Sequence, residues 1–204
     1  MNWLKNLYNW VLEWSDSKWG AVALFLLAFT EASFFPIPPD VLLIALCLGL
    51  RSKAFKFALI CSIGSALGAV FGYSIGYFLW WNTVGEFSSI ANFFIDIIPG
   101  FSSELFYDIK QKYDEWNFWI IFVSGFTPIP FKVFTVSAGA FNINFNLFLL
   151  ASIISRSARF ILIGGLIWRF GEPIKDFIDR YFNILAILFT VLLIGSFFII
   201  KYLI

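Results

Sequence analysis

Apolar runs of about 20 residues, separated by short charged patches, make up most of this sequence, and each run is long enough to cross a bilayer as a helix. Apolar residues account for 60% of the 204 residues, charged residues for only 13%, and the mean hydropathy is +0.85. A water-soluble domain of this size could not bury so much apolar surface. The pattern therefore predicts an all-α, polytopic membrane protein.

Several chemistries are disfavoured by composition. The sequence has no histidine, which removes histidine-ligated metals and the commonest general base. Its net charge is +1 with dispersed basic residues, so we expect no nucleic-acid partner. Cys47 and Cys61 lack a CxxC spacing, which argues against a zinc site or a disulfide framework. We expect no metal, no cofactor and no enzymatic activity.

Two apolar regions, 19–50 and 117–141, are interrupted by prolines. The prolines of the first break are Pro36, Pro38 and Pro39, and those of the second are Pro128 and Pro130. Proline cannot continue a helix, because it lacks an amide donor and restrains the residue before it. The second region has two arms of about 15 Å each, half the hydrocarbon thickness, which fits a re-entrant hairpin. The first is either a similar hairpin or one broken span.

The two breaks also indicate an internal repeat. Pro36-Ile37-Pro38 aligns with Pro128-Ile129-Pro130, Ser62 aligns with Ser152, and each break is followed by an apolar span, 57–81 or 148–168. Repeat 1 covers about 18–81 and repeat 2 about 116–171. Re-entrant hairpins would make the repeats inverted, as in many secondary transporters, whereas crossing segments would make them parallel. Most basic residues fall on one side in the re-entrant model, so the positive-inside rule favours it, with a cytoplasmic N-terminus.

The remaining segments complete the predicted topology. Residues 1–17 carry a tryptophan-rich stripe, which predicts an interfacial amphipathic helix. Residues 82–116 are acidic and predict an aqueous connection outside the cytoplasm, with a short helix over 88–98. Residues 172–204 predict a charged loop and a C-terminal transmembrane helix. A glycine at every fourth position of the first span, from Gly64 to Gly76, predicts close helix packing.

Five ionisable residues lie inside apolar regions, where each would cost several kcal/mol if left in hydrocarbon. They are Glu31, Asp40, Lys132, Arg156 and Arg159. Asp40 and Lys132 occupy the two tips, so we expect opposite charges to meet there, although Arg156 or Arg159 is an alternative partner for Asp40. A purely structural role, as buried ion pairs that fix hairpin packing, also remains open.

The same residues support a functional interpretation. A carboxylate in a poorly solvated cavity takes up a proton more readily than in water, which suits Glu31 and Asp40 for proton coupling. Arg156 and Arg159 share a helix face and, with Lys132, suit a phosphate or other anion. Helices that restart after the prolines add unpaired amides, which also attract negative charge.

The segments 31–40, 126–139 and 155–160 together resemble the DedA family, also called SNARE-associated or VTT-domain proteins, in particular its branch with Pro-Ile-Pro-Phe-Lys in the second hairpin. The resemblance covers about residues 20–171 and implies an inner-membrane protein with two opposed re-entrant hairpins. It also implies that the protein moves lipids between leaflets, including a polyprenyl phosphate. Tolerance of drugs and of pH that depends on the proton motive force is implied as well. The family's essential acidic pair would be Glu31 and Asp40. Another branch of the family carries two arginines in the second hairpin. This chain departs from that pattern, since Thr127 stands in place of the first arginine and only Lys132 lies near the second.

We therefore expect a transporter or scramblase that moves an anionic, phosphate-bearing lipid between leaflets, with protons as the coupling ion. The lipid would be a polyprenyl phosphate or a phospholipid. The alternative is a proton- or ion-coupled exporter of small molecules, which would use the same acids without a headgroup site. The oligomeric state is left open, with a homo-oligomer as one option.

Overall fold

The computed structural model of this chain describes residues 19–34, 38–83, 86–97, 102–127, 130–171 and 173. The predicted interfacial helix at 1–17, the predicted C-terminal transmembrane helix, Pro36 and Pro128 lie outside these residues. Helices form most of the described chain, and in order the elements are α1 (Gly20–Ser33), α2 (Asp40–Gly49), a 3-10 turn (Arg51–Lys53), α3 (Ala54–Trp80), β1 (Trp81–Thr83), β2 (Glu86–Phe87), α4 (Ser89–Ile97), α5 (Ser103–Phe126), α6 (Phe131–Ala140) and α7 (Phe145–Phe170).

Two of these helical segments, Arg51–Trp80 and Phe145–Phe170, are long and apolar enough to cross a membrane. They correspond to the two spans that follow the proline breaks in the sequence. The shorter apolar helices α1 and α2 lie on either side of the first break, and α6 begins just after Pro130 of the second. The breaks thus separate helices as predicted, because the described prolines within them, Pro38, Pro39 and Pro130, all lie outside a helix.

The segment between the repeats contains the short helix predicted over 88–98, as α4, and more regular structure besides. Strands β1 and β2 pair antiparallel, a small exception to the all-α prediction. Helix α5 then begins within the acidic segment, where the Ser102 hydroxyl accepts a hydrogen bond from the Leu105 amide at 3.2 Å. The helix continues through a kink at Trp116, where the backbone leaves helical geometry. Capping and the lack of a breaker make this segment helical although it is polar.

The first broken region turns back on itself. Gly64 and Gly68 of α3 pack in that order against Phe25 and Phe29 of α1, so these two helices run parallel. Asp40, at the start of α2, pairs with Arg159 of α7. Arg51, just after the end of α2, donates to the carbonyl of Trp168, which lies further along α7, at 3.2 Å. Helix α2 therefore runs parallel to α7.

The two long helices run antiparallel to each other. Contacts between them pair Ala54 with Gly164, Ser65 with Arg156, and Tyr73 with Phe148, so the order along one helix is the reverse of the order along the other. Because α1 is parallel to α3 and α2 to α7, α2 runs opposite to α1. The first region is a helical hairpin.

The second half repeats this arrangement in the opposite direction. Gly125 of α5 meets Ser155 of α7, and Thr127, just after α5, meets Arg159, so α5 and α7 are parallel. Helix α6 follows the direction of α3, because Thr135 lies near Gly72 and Ala140 near Gly76. Each long helix thus packs against the first arm of its own half and the second arm of the other.

The glycines of α3 permit this packing. Gly68 approaches the Phe29 backbone of α1, and Gly76 approaches the Val136 carbonyl of α6. Gly139 of α6 is as close to the Tyr73 carbonyl of α3. One face of α3 therefore touches the backbones of both hairpins, which brings their tips beside the middle of the long helices.

Candidate functional site

Glu31 and Arg156 form the more deeply buried of two ion pairs between the halves. Glu31 lies in the last turn of α1, and Arg156 lies near the middle of α7. Arg156 Nη2 donates to Glu31 Oε2, and the side chains of Arg156 and Glu31 are 2% and 10% exposed respectively. The pair connects the first hairpin to the long helix of the second half.

Arg156 is enclosed by other groups as well. Its Nε donates to Ser65 Oγ of α3 at 2.7 Å. Its guanidinium carbon lies 5.1 Å from the ring centre of Phe131 and 4.7 Å from that of Phe160, in cation–π geometry. Three helices and the second hairpin therefore hold this side chain in one position, where it is shielded from small anions.

Asp40 and Arg159 form the second pair, closer to the surface. Arg159 Nε and Nη2 donate to the two carboxylate oxygens of Asp40 at 3.0 and 2.8 Å, and Nη1 donates to the Thr127 carbonyl. The bidentate geometry gives a strong, oriented interaction. The side chains of Arg159 and Asp40 are 15% and 14% exposed. Arg159 thus joins the tip of the first hairpin to that of the second.

Lys132 does not pair with Asp40: of the partners that the sequence left open for Asp40, the structure has Arg159, and the Asp40 and Lys132 charges do not meet. Lys132 Nζ instead lies 3.4 Å from the Phe34 carbonyl at the end of α1. Asp40 is occupied by Arg159, whose fork matches both carboxylate oxygens, whereas an ammonium has no such geometry. Among the described residues no carboxylate lies within ion-pair distance of Lys132, whose side chain is half-buried.

The two hairpins have equivalent carbonyl contacts. Phe34 caps the C-terminus of α1, and Thr127 caps that of α5. Each carbonyl accepts a hydrogen bond from a cation of repeat 2. Lys132 donates to the Phe34 carbonyl, and Arg159 donates to the Thr127 carbonyl. A helix C-terminus carries partial negative charge, so both contacts are favourable. Thr135 adds a further link, since its hydroxyl donates to the Ala32 carbonyl at 2.8 Å.

Counted over the described residues, the cluster has one positive charge in excess, because three cations face two carboxylates. The first turns of α2 and α6 differ in charge in the same sense. Asp40 occupies the first turn of α2, where a carboxylate is favoured, whereas the first turn of α6 carries Lys132 and no acid. Pro130 precedes α6 and gives no side-chain cap. The excess charge therefore lies at the positive end of α6, near the surface.

In the described part of the chain, no three His, Cys, Asp or Glu side chains lie close enough together to hold a metal ion. Cys47 and Cys61 are both buried free cysteines. The Cys47 thiol lies 3.8 Å from the Ala54 carbonyl.

Sequence reasoning missed several groups that complete the cluster. Ser65 and Phe160, which both contact Arg156, were not among the candidate residues. Phe131 immediately precedes Lys132 in the tip. The spacing of Phe160 could have indicated its contact, because residues four apart on a helix are neighbours. The carbonyls of Phe34 and Thr127 leave no signature in a sequence.

Curated proteins from three organisms are similar to this chain. It is 32% identical over 197 residues to an uncharacterized protein of Haemophilus influenzae, covering 96% of each chain. It is 31% identical over 166 residues to an uncharacterized protein of Histophilus somni, covering 77% of each. It is 30% identical over 142 residues to an uncharacterized protein of Methanocaldococcus jannaschii, covering 69% of this chain and 79% of the relative. No family model matches the chain, and no solved structure matches it.

Proposed function

The chain belongs to the same family as the Haemophilus influenzae protein, and we propose that it moves a phosphate-bearing lipid between membrane leaflets. In this proposal it is a multi-pass protein of the cytoplasmic (inner) membrane, and protons are the coupling ion. Its two helical hairpins enter the bilayer from opposite sides as re-entrant segments. The resemblance to DedA proteins supports the same activity.

The observation that carries the proposal is the excess cation. Glu31 and Asp40 neutralise Arg156 and Arg159, which leaves Lys132 with a backbone carbonyl, 3.4 Å away, as its hydrogen-bond acceptor among the described residues. A cation in an apolar region is costly unless an anion or water accompanies it. A lipid phosphate would supply that anion and could also approach the free amides at the start of α6.

The position of the cluster favours a lipid over a soluble anion. It lies between α3 and α7, the two helices that are long and apolar enough to cross a membrane. Large apolar side chains near it are exposed, among them Phe34 at 57% and Val133 at 54%. An amphiphile could place its phosphate at Lys132 while its chains remain against this apolar surface.

Proton coupling is assigned to the two carboxylates. Protonation of Asp40 would remove the charge that holds Arg159, so the arginine would become available to the phosphate. Glu31 is more enclosed, and Asp40 and Arg159 lie close enough to act on it electrostatically. A proton at either acid would therefore increase the positive charge of the cluster.

Lipid movement in reconstituted vesicles tests the proposal. Full-length protein in phosphatidylcholine vesicles containing fluorescent phosphatidic acid would be assayed by dithionite quenching, with and without an imposed proton gradient. We expect the wild type to move the probe and Lys132→Ala to slow it about tenfold, the effect of losing roughly 1.4 kcal/mol of phosphate binding. Lys112→Ala is the matched control, because Lys112 is an exposed lysine on α5 away from the hairpin tips.

Three results would contradict the proposal. The first is a wild type that moves no labelled lipid. The second is a Lys132→Ala variant that moves lipid at the wild-type rate. The third is a Lys112→Ala variant whose rate falls as much as that of Lys132→Ala. Vesicles that transport protons or drugs without moving lipid would favour the small-molecule exporter.

A further inference from the structure

Four buried polar side chains lie on α5 and α7, the two parallel helices of the second half. We call this set the polar seam, and it consists of Asn117, Ser124, Ser152 and Ser155. Ser152 and Ser155 are fully buried, Ser124 is 1% exposed and Asn117 is 7% exposed. Buried polar groups are expensive in a helix interface unless each is hydrogen-bonded, so their alignment needs a physical reason.

The residues of the seam share one face of each helix. Asn117 and Ser124 lie seven positions apart on α5, and Ser152, Ser155, Arg156 and Arg159 follow at helical spacing on α7. The two faces meet where Gly125 packs against Ser155 and where Arg159 reaches the Thr127 carbonyl. The seam therefore adjoins Arg156 and Arg159 at its Ser155 end, and the buried Ile121 lies between Ser124 and Asn117 on α5.

The seam also has a defined direction. Because α5 and α7 are parallel, Asn117 and Ser152 lie on the same side of the Gly125–Ser155 contact. Asn117 is about 12 Å along α5 from that contact, next to the kink at Trp116. Beyond the kink, α5 carries exposed Asp114 and Glu115. The seam thus extends from the buried Glu31–Arg156 pair towards the charged half of α5.

Two atoms of the seam lack protein partners. Within the part of the chain that the structure describes, neither Ser152 Oγ nor Asn117 Oδ1 has a hydrogen-bond partner. Ser124 and Ser155, in contrast, donate to the carbonyls of Ile121 and Ser152 at 3.0 and 3.3 Å. A buried hydroxyl or amide left unsatisfied costs about 1–3 kcal/mol, and ordered water is the usual remedy.

The first repeat gives an internal comparison. Ser62 corresponds to Ser152, and its hydroxyl donates to the Ala58 carbonyl at 2.8 Å. Ser65 corresponds to Ser155 and receives Arg156. The first-repeat serines are thus satisfied by protein atoms, whereas Ser152 has no such partner among the described residues. Of the two equivalent serines, only the one in the second half has a hydroxyl without a protein partner among the described residues.

We propose that the polar seam binds a file of water molecules that connects Glu31 with the aqueous side next to the charged half of α5. This inference rests on the proposed function for its purpose, since the file would deliver the coupling proton. A hydronium at its inner end would transfer its proton to a carboxylate oxygen of Glu31 and remain as water. Arg156 would then lose its charge partner.

Cysteine accessibility to Ag⁺ tests the file directly, because this ion is small and reacts with thiols in contact with water. Cys47 and Cys61 are first replaced by alanine, and Ser152→Cys and Asn117→Cys are introduced separately in the full-length chain. Ag⁺ in chloride-free buffer is added to right-side-out or inside-out membrane vesicles. Thiols that have not reacted are then counted with a maleimide after denaturation.

Ala151→Cys is the matched control, since Ala151 is adjacent to Ser152 on α7, is fully buried and belongs to an apolar cluster. We expect the new thiols of Ser152→Cys and Asn117→Cys to react about tenfold faster than that of Ala151→Cys, because an apolar environment suppresses thiolate formation and excludes the ion. The faster reaction should occur from the side to which the thiol of Ser103→Cys is accessible.

The proposal is overturned if the Ser152→Cys and Asn117→Cys thiols are as unreactive as that of Ala151→Cys, if all three react alike, or if the seam reacts only from the opposite side. Failure of Ser152→Cys to fold leaves Asn117→Cys to decide. The readout does not depend on lipid transport, so a hydrated seam in a protein that moves no lipid refutes the proposed function alone. A dry seam in an active protein refutes the water file alone.

Discussion

Arg159 of one half binds Asp40 of the other through two nearly parallel hydrogen bonds, and its third donor group reaches the Thr127 carbonyl of the second tip. A single side chain therefore couples the tips of two hairpins that are distant in sequence. The pair is slightly exposed, in contrast to the enclosed Glu31–Arg156 pair. The Asp40–Arg159 pair is therefore the more accessible of the two to water.

The Arg159→Lys variant tests this bidentate contact. Lysine keeps the charge but not the fork, so it cannot bind both carboxylate oxygens and the carbonyl together. We expect lipid movement in vesicles to fall about tenfold and the unfolding free energy to fall by about 1–2 kcal/mol. Arg169→Lys is the control, because Arg169 is exposed at the end of α7. Wild-type behaviour of Arg159→Lys would refute a role for the bidentate geometry.

The Glu31–Arg156 pair should show strong coupling in a double-mutant cycle. Arg156→Leu leaves a buried carboxylate without its partner, and we expect a loss of about 3–5 kcal/mol in unfolding free energy. Combining it with Glu31→Leu should restore much of that loss, since the remaining site is apolar. Denaturation in mixed micelles provides the measurement.

The Lys110–Asp114 pair, at 3.4 Å and with side chains 29% and 53% exposed, serves as the more exposed reference for that cycle. Its coupling should be about 0.3–0.5 kcal/mol, as for surface pairs four residues apart on a helix. Similar coupling energies for the two pairs would mean that the buried pair contributes little to stability.

Glycine substitutions should separate close packing from helix propensity. A Cβ at Gly68 would lie 2.9 Å from the Phe29 Cα, so Gly68→Ala must push α1 away from α3 and should destabilise the fold by about 1–3 kcal/mol. At Gly165 the nearest atoms are in the Phe55 ring at 3.9 Å, so Gly165→Ala should be neutral or stabilising by up to about 1 kcal/mol. Thermal unfolding in detergent compares the two, and equal effects would argue against tight contact.

The membrane topology can be tested at two exposed serines. Ser52 lies in the 3-10 turn between α2 and α3, and Ser103 opens α5. In the proposed inverted arrangement these positions face opposite sides, with Ser52 in the cytoplasm. In a background without Cys47 and Cys61, a membrane-impermeant maleimide should label Ser103→Cys in intact cells and Ser52→Cys only in inside-out vesicles. Labelling of both from one side would rule out the inverted topology.

The sequence alone determined where the proline breaks and the two long helices lie, and which ionisable residues fall inside apolar segments. Prolines ended helices because they lack an amide donor, and the apolar runs became the two long helices. The second broken region was predicted to begin at Asn117, and α5 kinks one residue earlier. Charges within apolar segments could be recognised because hydrocarbon penalises them wherever the chain folds.

Tertiary structure decided how those charges are paired. Glu31 and Arg156 lie 125 positions apart, and Asp40 and Arg159 lie 119 apart, so no local rule joins them. The sequence allowed Lys132, Arg156 or Arg159 as partners for Asp40, and the choice followed from helix directions and the close approach of α3 to both hairpins. Local chemistry fixes where a helix stops and what charge it carries, whereas the distance between two charges is set by the packing of all the helices between them.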